Sequence, residues 1–161
     1  MKKWLRNAIA FMLVAGMVVA FAACGEKQDE TSTTDDGQNP IMNFIGSYDN
    51  GGIYITVEPD GDSGALFTVD WGLTDDEAEQ YTFSGTLDPD TLKVTYSNCE
   101  KKILTLDANG EVTDEKVEYS DGSGIVIFRE GDGNLSLEWQ DEKEGERLIG
   151  SNVFDYVLAE D

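Results

Sequence analysis

From Ile41 onward apolar side chains recur at every second position and almost nowhere at helical spacing. A chain with that period buries one face of β-strands rather than one stripe of a helix. Ile53, Ile55 and Val57 alternate with Tyr54, Thr56 and Glu58, and Phe67, Val69 and Trp71 with Leu66, Thr68 and Asp70. The same pattern runs through Tyr81, Phe83, Gly85 and Leu87, through Leu92, Val94 and Tyr96, and through Leu135, Leu137 and Trp139. Between the runs stand Pro59-Asp60-Gly61, Asp88-Pro89-Asp90, Asn109-Gly110, Asp121-Gly122 and Gly131-Asp132-Gly133-Asn134. Each supplies a preset φ or a residue tolerant of positive φ, so each is read as a turn.

Ten strands are predicted, over 43–48, 52–58, 64–71, 80–87, 91–97, 101–107, 112–119, 124–130, 134–140 and 147–157. Connections this short make neighbours antiparallel. The single helical signal is the capping-box pattern Thr74-Asp75-Asp76-Glu77, read as one turn in a connection. A long meander with one wet face per strand leaves adhesive edges when flat, and closure removes them. The expected fold is therefore an all-β, antiparallel up-and-down barrel of about eight to ten strands over 41–161, with a β-sandwich as the alternative.

Charge bounds the function. The chain of 161 residues holds 33 acidic and 11 basic residues and no histidine. Eight of the basic residues and all of the acids lie from Cys24 onward, a formal balance of −25. So negative a surface repels phosphate backbones, which excludes nucleic acid unless a metal bridges the two. The absence of imidazole excludes Ser-His-Asp and Cys-His catalysis and histidine-ligated zinc.

The first 24 residues have a different character. Lys2, Lys3 and Arg6 precede an uncharged run from Ala8 to Ala23, which ends Phe21-Ala22-Ala23-Cys24. A basic start, a short apolar stretch and small residues before the end are the order of an export signal, and the stretch is short for a membrane span. This ending resembles the lipobox of bacterial lipoproteins, with Phe21 where leucine is usual. The resemblance implies a signal peptide over 1–23, lipidation at Cys24 and attachment to the extracytoplasmic face of a membrane. A diacylglyceryl group with two chains holds firmly where one does not. Gly25 to Pro40 contains no apolar side chain apart from its terminal proline and reads as an acidic, disordered linker, so that 24–40 forms a lipidated tether.

Several constellations bear on chemistry. Gly61-Asp62-Ser63-Gly64 matches the string around the nucleophile of trypsin-like proteases, but no general base exists and the position reads as a turn. Asp60 and Asp62 are weak calcium candidates, since Trp71 stands where an EF-hand needs glutamate. No carboxylate stands out as catalytic: Asp70 and Glu138 read as solvent-facing. Cys99 reads as a small buried residue, with Lys101 and Lys102 near enough to lower its pKa slightly. Should Cys24 escape lipidation, a disulfide between it and Cys99 is open. Trp71, Tyr81, Tyr96, Cys99 and Trp139 are the ligand-binding candidates if the barrel holds a cavity; otherwise its aromatics fill the interior.

Two likenesses remain. Gly46-Ser47-Tyr48 resembles the G-x-W of lipocalins and avidins, with tyrosine for tryptophan. Tyr96 and Cys99, then Asp121, Gly122, Gly124 and Phe128, then Leu137, Trp139, Asp141 and Glu144, are similar to a pattern shared by a group of small bacterial lipoproteins: Y-x-x-C, D-G-x-G-x-x-x-F and L-x-W-x-D-x-x-E. The resemblance implies a single lipocalin-like barrel and a role for Cys99 and Trp139, as packing or as a site, and supplies no activity. The functional expectation is a non-catalytic, monomeric binding module without a cofactor, for a cationic protein or peptide or for a small apolar ligand. The alternative is a hydrolase with inward carboxylates.

Overall fold

A computed structural model describes residues 40–131 and 133–158; the leader, Cys24 and the tether as far as residue 39 lie outside the described residues. A short 3₁₀ turn, Pro40–Asn43, precedes eight strands: β1 (Gly46–Asp49), β2 (Ile53–Asp60), β3 (Gly64–Gly72), β4 (Glu77–Asp88), β5 (Lys93–Leu106), β6 (Val112–Gly131), β7 (Asn134–Asp141) and β8 (Val153–Val157). Each pairs antiparallel with the next, and β8 returns to β1 through Ser47↔Val157 and Tyr48↔Tyr156. The sheet is an up-and-down barrel closed by sequential hairpins; it is not a sandwich.

The ten predicted strands become eight because two of the expected breaks between strands, one of them the expected turn at Asp121-Gly122, are continuous strand. Ser97–Glu100 and Ser120–Ser123 lie inside β5 and β6, facing each other where the register slips: Tyr96 pairs with Gly124, Cys99 with Gly122 and Lys101 with Tyr119. First β5 and then β6 carries an extra residue, so these are bulges, and each resets the alternation of faces. Tyr96, Cys99, Lys101 and Leu104 are all buried despite irregular spacing. A strict period of two reads such a strand as two segments with a gap. Thr74–Glu77 forms no helical turn: Thr74 Oγ1 donates to Asp76, and the amides of Leu73 and Thr74 both donate to the carbonyl of Glu77, tightening the β3–β4 connection.

The interior is filled by large side chains, as an eight-stranded barrel requires. Phe44 stacks on Phe128 at 4.5 Å between centroids, Phe67 on Phe83 at 5.0 Å and Phe83 on Tyr96 at 3.9 Å, while Tyr81 meets Trp139 edge-on at 5.3 Å. Ile41 and Phe44 close the end at which β1 begins, where Tyr48 donates its hydroxyl to the Phe44 carbonyl at 2.8 Å. The opposite end, which carries the β1–β2, β3–β4, β5–β6 and β7–β8 connections, is closed differently, by charge.

Candidate functional site

Glu79 on β4 and Lys101 on β5 face inward near this second end and are each 5 % exposed. The β7–β8 connection supplies their partners. Asp141, the last residue of β7, accepts the amides of Lys143 at 2.8 Å and Glu144 at 3.0 Å through Oδ1, which turns the chain back over the barrel mouth. Leu148 is thereby buried, and Glu144 and Arg147 reach the cluster.

Lys101 Nζ lies 3.0 Å from Glu79, 2.9 Å from Glu144 and 2.8 Å from Glu118. Arg147 bridges Glu79 at 2.9 Å and Glu144 at 2.6 Å, and its guanidinium stacks on Trp71 at 4.1 Å. Tyr81 donates to Glu79 at 2.8 Å. Burial works to raise the Glu144 pKa, but the hydrogen bonds and charges of Lys101 and Arg147 outweigh it and hold the carboxyl below its usual value. Burial likewise works against the Lys101 ammonium, and its bonds to Glu118, Glu144 and Glu79 keep it charged well into alkali. Such a group of opposed, hydrogen-bonded charges is satisfied as it stands.

A second polar chain adjoins the first. Trp139 Nε1 donates to the Tyr96 hydroxyl at 2.8 Å, and that hydroxyl donates to Asp141 Oδ2 at 2.8 Å. Gly124 has to be glycine here, because a Cβ would run into the Gln140 carbonyl and the Tyr96 hydroxyl. A Cβ at Gly122 would come within 2.9 Å of both Cys99 Cβ and Tyr119 Cε2. Tyr96, Cys99, Gly122, Gly124, Trp139, Asp141 and Glu144 thus meet in one packed, hydrogen-bonded junction between β5, β6, β7 and the connection, while Asp121 stays exposed.

Of the candidate ligand residues, Tyr81, Tyr96, Cys99 and Trp139 are buried in the core, and Trp71 is half-buried under Arg147. Tyr96 and Trp139 also contribute, with Ile125, Leu148 and Ile149, to an open groove of about 790 Å³ between the barrel wall and the β7–β8 connection. Trp71 and Arg147 help line a polar mouth of about 710 Å³ with Asp49 and Asp155.

Three expectations need correction. Lys101 and Lys102 do not lower the Cys99 pKa: burial, then Asp141 and Glu144, push the thiol up to about 12. Carboxylates do stand out, since Glu79, Asp141 and Glu144 are buried. Asp70 and Glu138 are on the outer face but partly covered, Asp70 by Gln80, which donates to it at 2.9 Å, and Glu138 by Arg129. Burial raises the Asp70 pKa. Asp60 and Asp62 are exposed at the β2–β3 turn, and among the described residues no three acidic or cysteine side chains converge as a metal site.

Sequence reasoning missed Glu79, Glu144 and Arg147 as a unit. Ala78 and Glu79 are both buried, which breaks the alternation of β4, and Arg147 lies in a connection with no period at all. Compared with family models, with curated proteins and with solved structures, the chain matches none of them.

Proposed function

We propose that this domain is a non-catalytic binding module that recognises a cationic protein or peptide with its outer surface. The observation that carries the proposal is the filled interior: among the described residues the largest aromatic side chains are buried and stacked on one another, which supports recognition on the outside of the barrel. What the barrel offers a partner is its exterior, and that exterior is acidic. Lys101, Lys102, Arg129, Lys143 and Arg147 are all ion-paired within the domain, so few positive charges remain to offset the acids. Long-range attraction of a cationic partner follows, and salt weakens it.

The buried carboxylates favour this over a hydrolase. A general acid needs a raised pKa and a free face toward substrate. Glu79 and Glu144 are instead clamped between Lys101 and Arg147, and Asp141 is spent on Tyr96 and two backbone amides. On the lipobox resemblance, Cys24 carries the domain at the extracytoplasmic face of a membrane.

The test is titration of the purified full chain with poly-lysine and, separately, poly-glutamate. Binding of poly-lysine alone, weakened as salt rises, is the expected result; equal binding to both polymers, or affinity independent of salt, overturns it. The groove beside Trp139 and Leu148 supports a second proposal, a small apolar ligand. Its check is N-phenyl-1-naphthylamine, whose emission rises on entering an apolar site and stays flat if the groove holds nothing.

A further inference from the structure

Strand β6 is paired unevenly. Its first half, from Val112, pairs with β5 alone, because β7 joins it only from Gly124 to Gly131. Among the described residues no strand lies on the other side of Val112–Ser120, and residues 112–118 are all exposed. In an antiparallel ladder alternate residues direct N–H and C=O away from their partner, so this edge presents a row of unpaired backbone groups.

Its side chains are strongly biased in sign. Glu111, Asp114, Glu115, Glu118 and Asp121 oppose a single basic residue on the strand itself, Lys116, while Lys102 pairs with Glu115, Lys101 with Glu118 and Lys143 with Asp121 from neighbouring elements. Val112 and Val117 stand among them at 54 % and 50 % exposure. Sheet edges are ordinarily guarded by charged side chains, lysine above all, by proline, by bulges or by shortness; the guards here are acids and flanking bulges, and acids repel an acidic strand but not a basic one. This one has no proline and one lysine. Bulges flank its regular part: Thr105↔Asp114, Leu104↔Glu115, Ile103↔Lys116 and Lys102↔Val117 run in step, and the register slips on either side.

We propose that the outer edge of β6, centred on Asp114–Val117, receives an extended cationic peptide as an added strand. Backbone hydrogen bonds supply affinity in this mode and side chains supply selectivity. Here the selectivity is for lysine or arginine opposite Asp114 on one face of the edge and opposite Glu115 on the other, with a β-branched residue beside Val117, which shares the Glu115 face. The proposal rests on the cationic-partner reading above and gives it a location. Charge decides among occupants. A second copy brings Asp114, Glu115 and Glu118 against their own kind, and the tether from Gly25 to Pro40 holds five acids and one lysine, so both are repelled where a basic strand is drawn in.

The probe is a fluorescein-labelled peptide of alternating lysine and valine, added to the full chain and followed by anisotropy and by amide hydrogen exchange. The expected result is slowed exchange within Val112–Ser120 and an affinity that falls about tenfold or more in Asp114→Lys/Val117→Lys. A control that adds the same charge at the far end of the barrel, Asp60→Lys/Ser63→Lys, is expected to lose less than about threefold. Binding with protection elsewhere, or with equal loss in both variants, overturns the edge proposal and leaves the cationic-partner reading standing. No binding of either this peptide or poly-lysine overturns both. Exchange over 112–120 that is already slow without peptide, and that depends on protein concentration or speeds up on removal of residues 25–39, assigns the edge to a second copy or to the tether and overturns the proposal as well.

Discussion

The hydroxyl of Tyr96 donates to Asp141 at 2.8 Å across a separation of 45 residues, and in the same position accepts the indole N–H of Trp139. One oxygen therefore joins the middle of β5 to the end of β7, where the chain turns to cap the barrel. Tyr96→Phe leaves the ring packed on Phe83 and strands two buried polar groups. An unsatisfied buried partner costs about 1–3 kcal/mol, so the variant is expected to melt several degrees lower, with tryptophan emission altered because Trp139 loses its acceptor. A melting curve that overlays the parent refutes the structural importance of this bond.

Lys101 holds three carboxylates. Its replacement by methionine leaves Glu79 and Glu144 buried with only Arg147 between them, and removal of one partner from a buried ion pair costs about 3–5 kcal/mol. Lys101→Met is expected to be severely destabilised in denaturant titrations. Addition of Glu79→Gln, which removes one of the stranded charges, restores part of the loss; no restoration contradicts the charge account.

Glu144 adds a pH signature. Its folded carboxyl lies below the usual range, so as pH falls the unfolded chain takes up a proton first and the contribution of Glu144 is lost. Above the unfolded value that contribution is fully present. The melting-temperature gap between the parent and Glu144→Gln is expected to be wide at neutral pH and to close below about pH 4 to 5. Subtraction of one variant from the other removes the opposing gain that all the other acids make as their mutual repulsion is relieved.

Cys99 makes the opposite case in alkali. Its thiol is pushed up to about 12 from a model-compound value of 9.0, so between those values the unfolded chain ionises first and folding stability falls as pH rises. At pH 8 the thiol is neutral and buried. Reaction with a thiol-specific disulfide reagent is expected to be slow in native protein and fast in denaturant, and Cys99→Ala is expected to flatten part of the alkaline decline. Rapid labelling of the native chain rules out this environment.

How much of this was legible beforehand differs from element to element. The period-two runs around Ile55, Val69, Phe83 and Leu137 identified strands, inner faces and antiparallel order, because in those stretches each residue's face follows from its neighbours. The turns at Gly61 and Gly110 were likewise visible, since their positive φ asks for glycine. Asp121-Gly122 carries the same chemistry and is not a turn; there glycine serves the close approach of Cys99 and Tyr119, a demand made by the opposite strand.

Alternation and turn chemistry are local, so the chain itself determines that it folds as a closed meander, and the tally of its acids determines the sign of the charge it carries. The charged end is another matter. Glu79, Lys101, Glu144 and Arg147 are one unit only because the register of β5 and β6 slips at the bulges beside Lys101 and because Asp141 bends the connection over the mouth. The exposed edge of β6 arises because β7 is too short to cover it. Both depend on which backbones lie side by side and for how long, and that is settled when the ring closes.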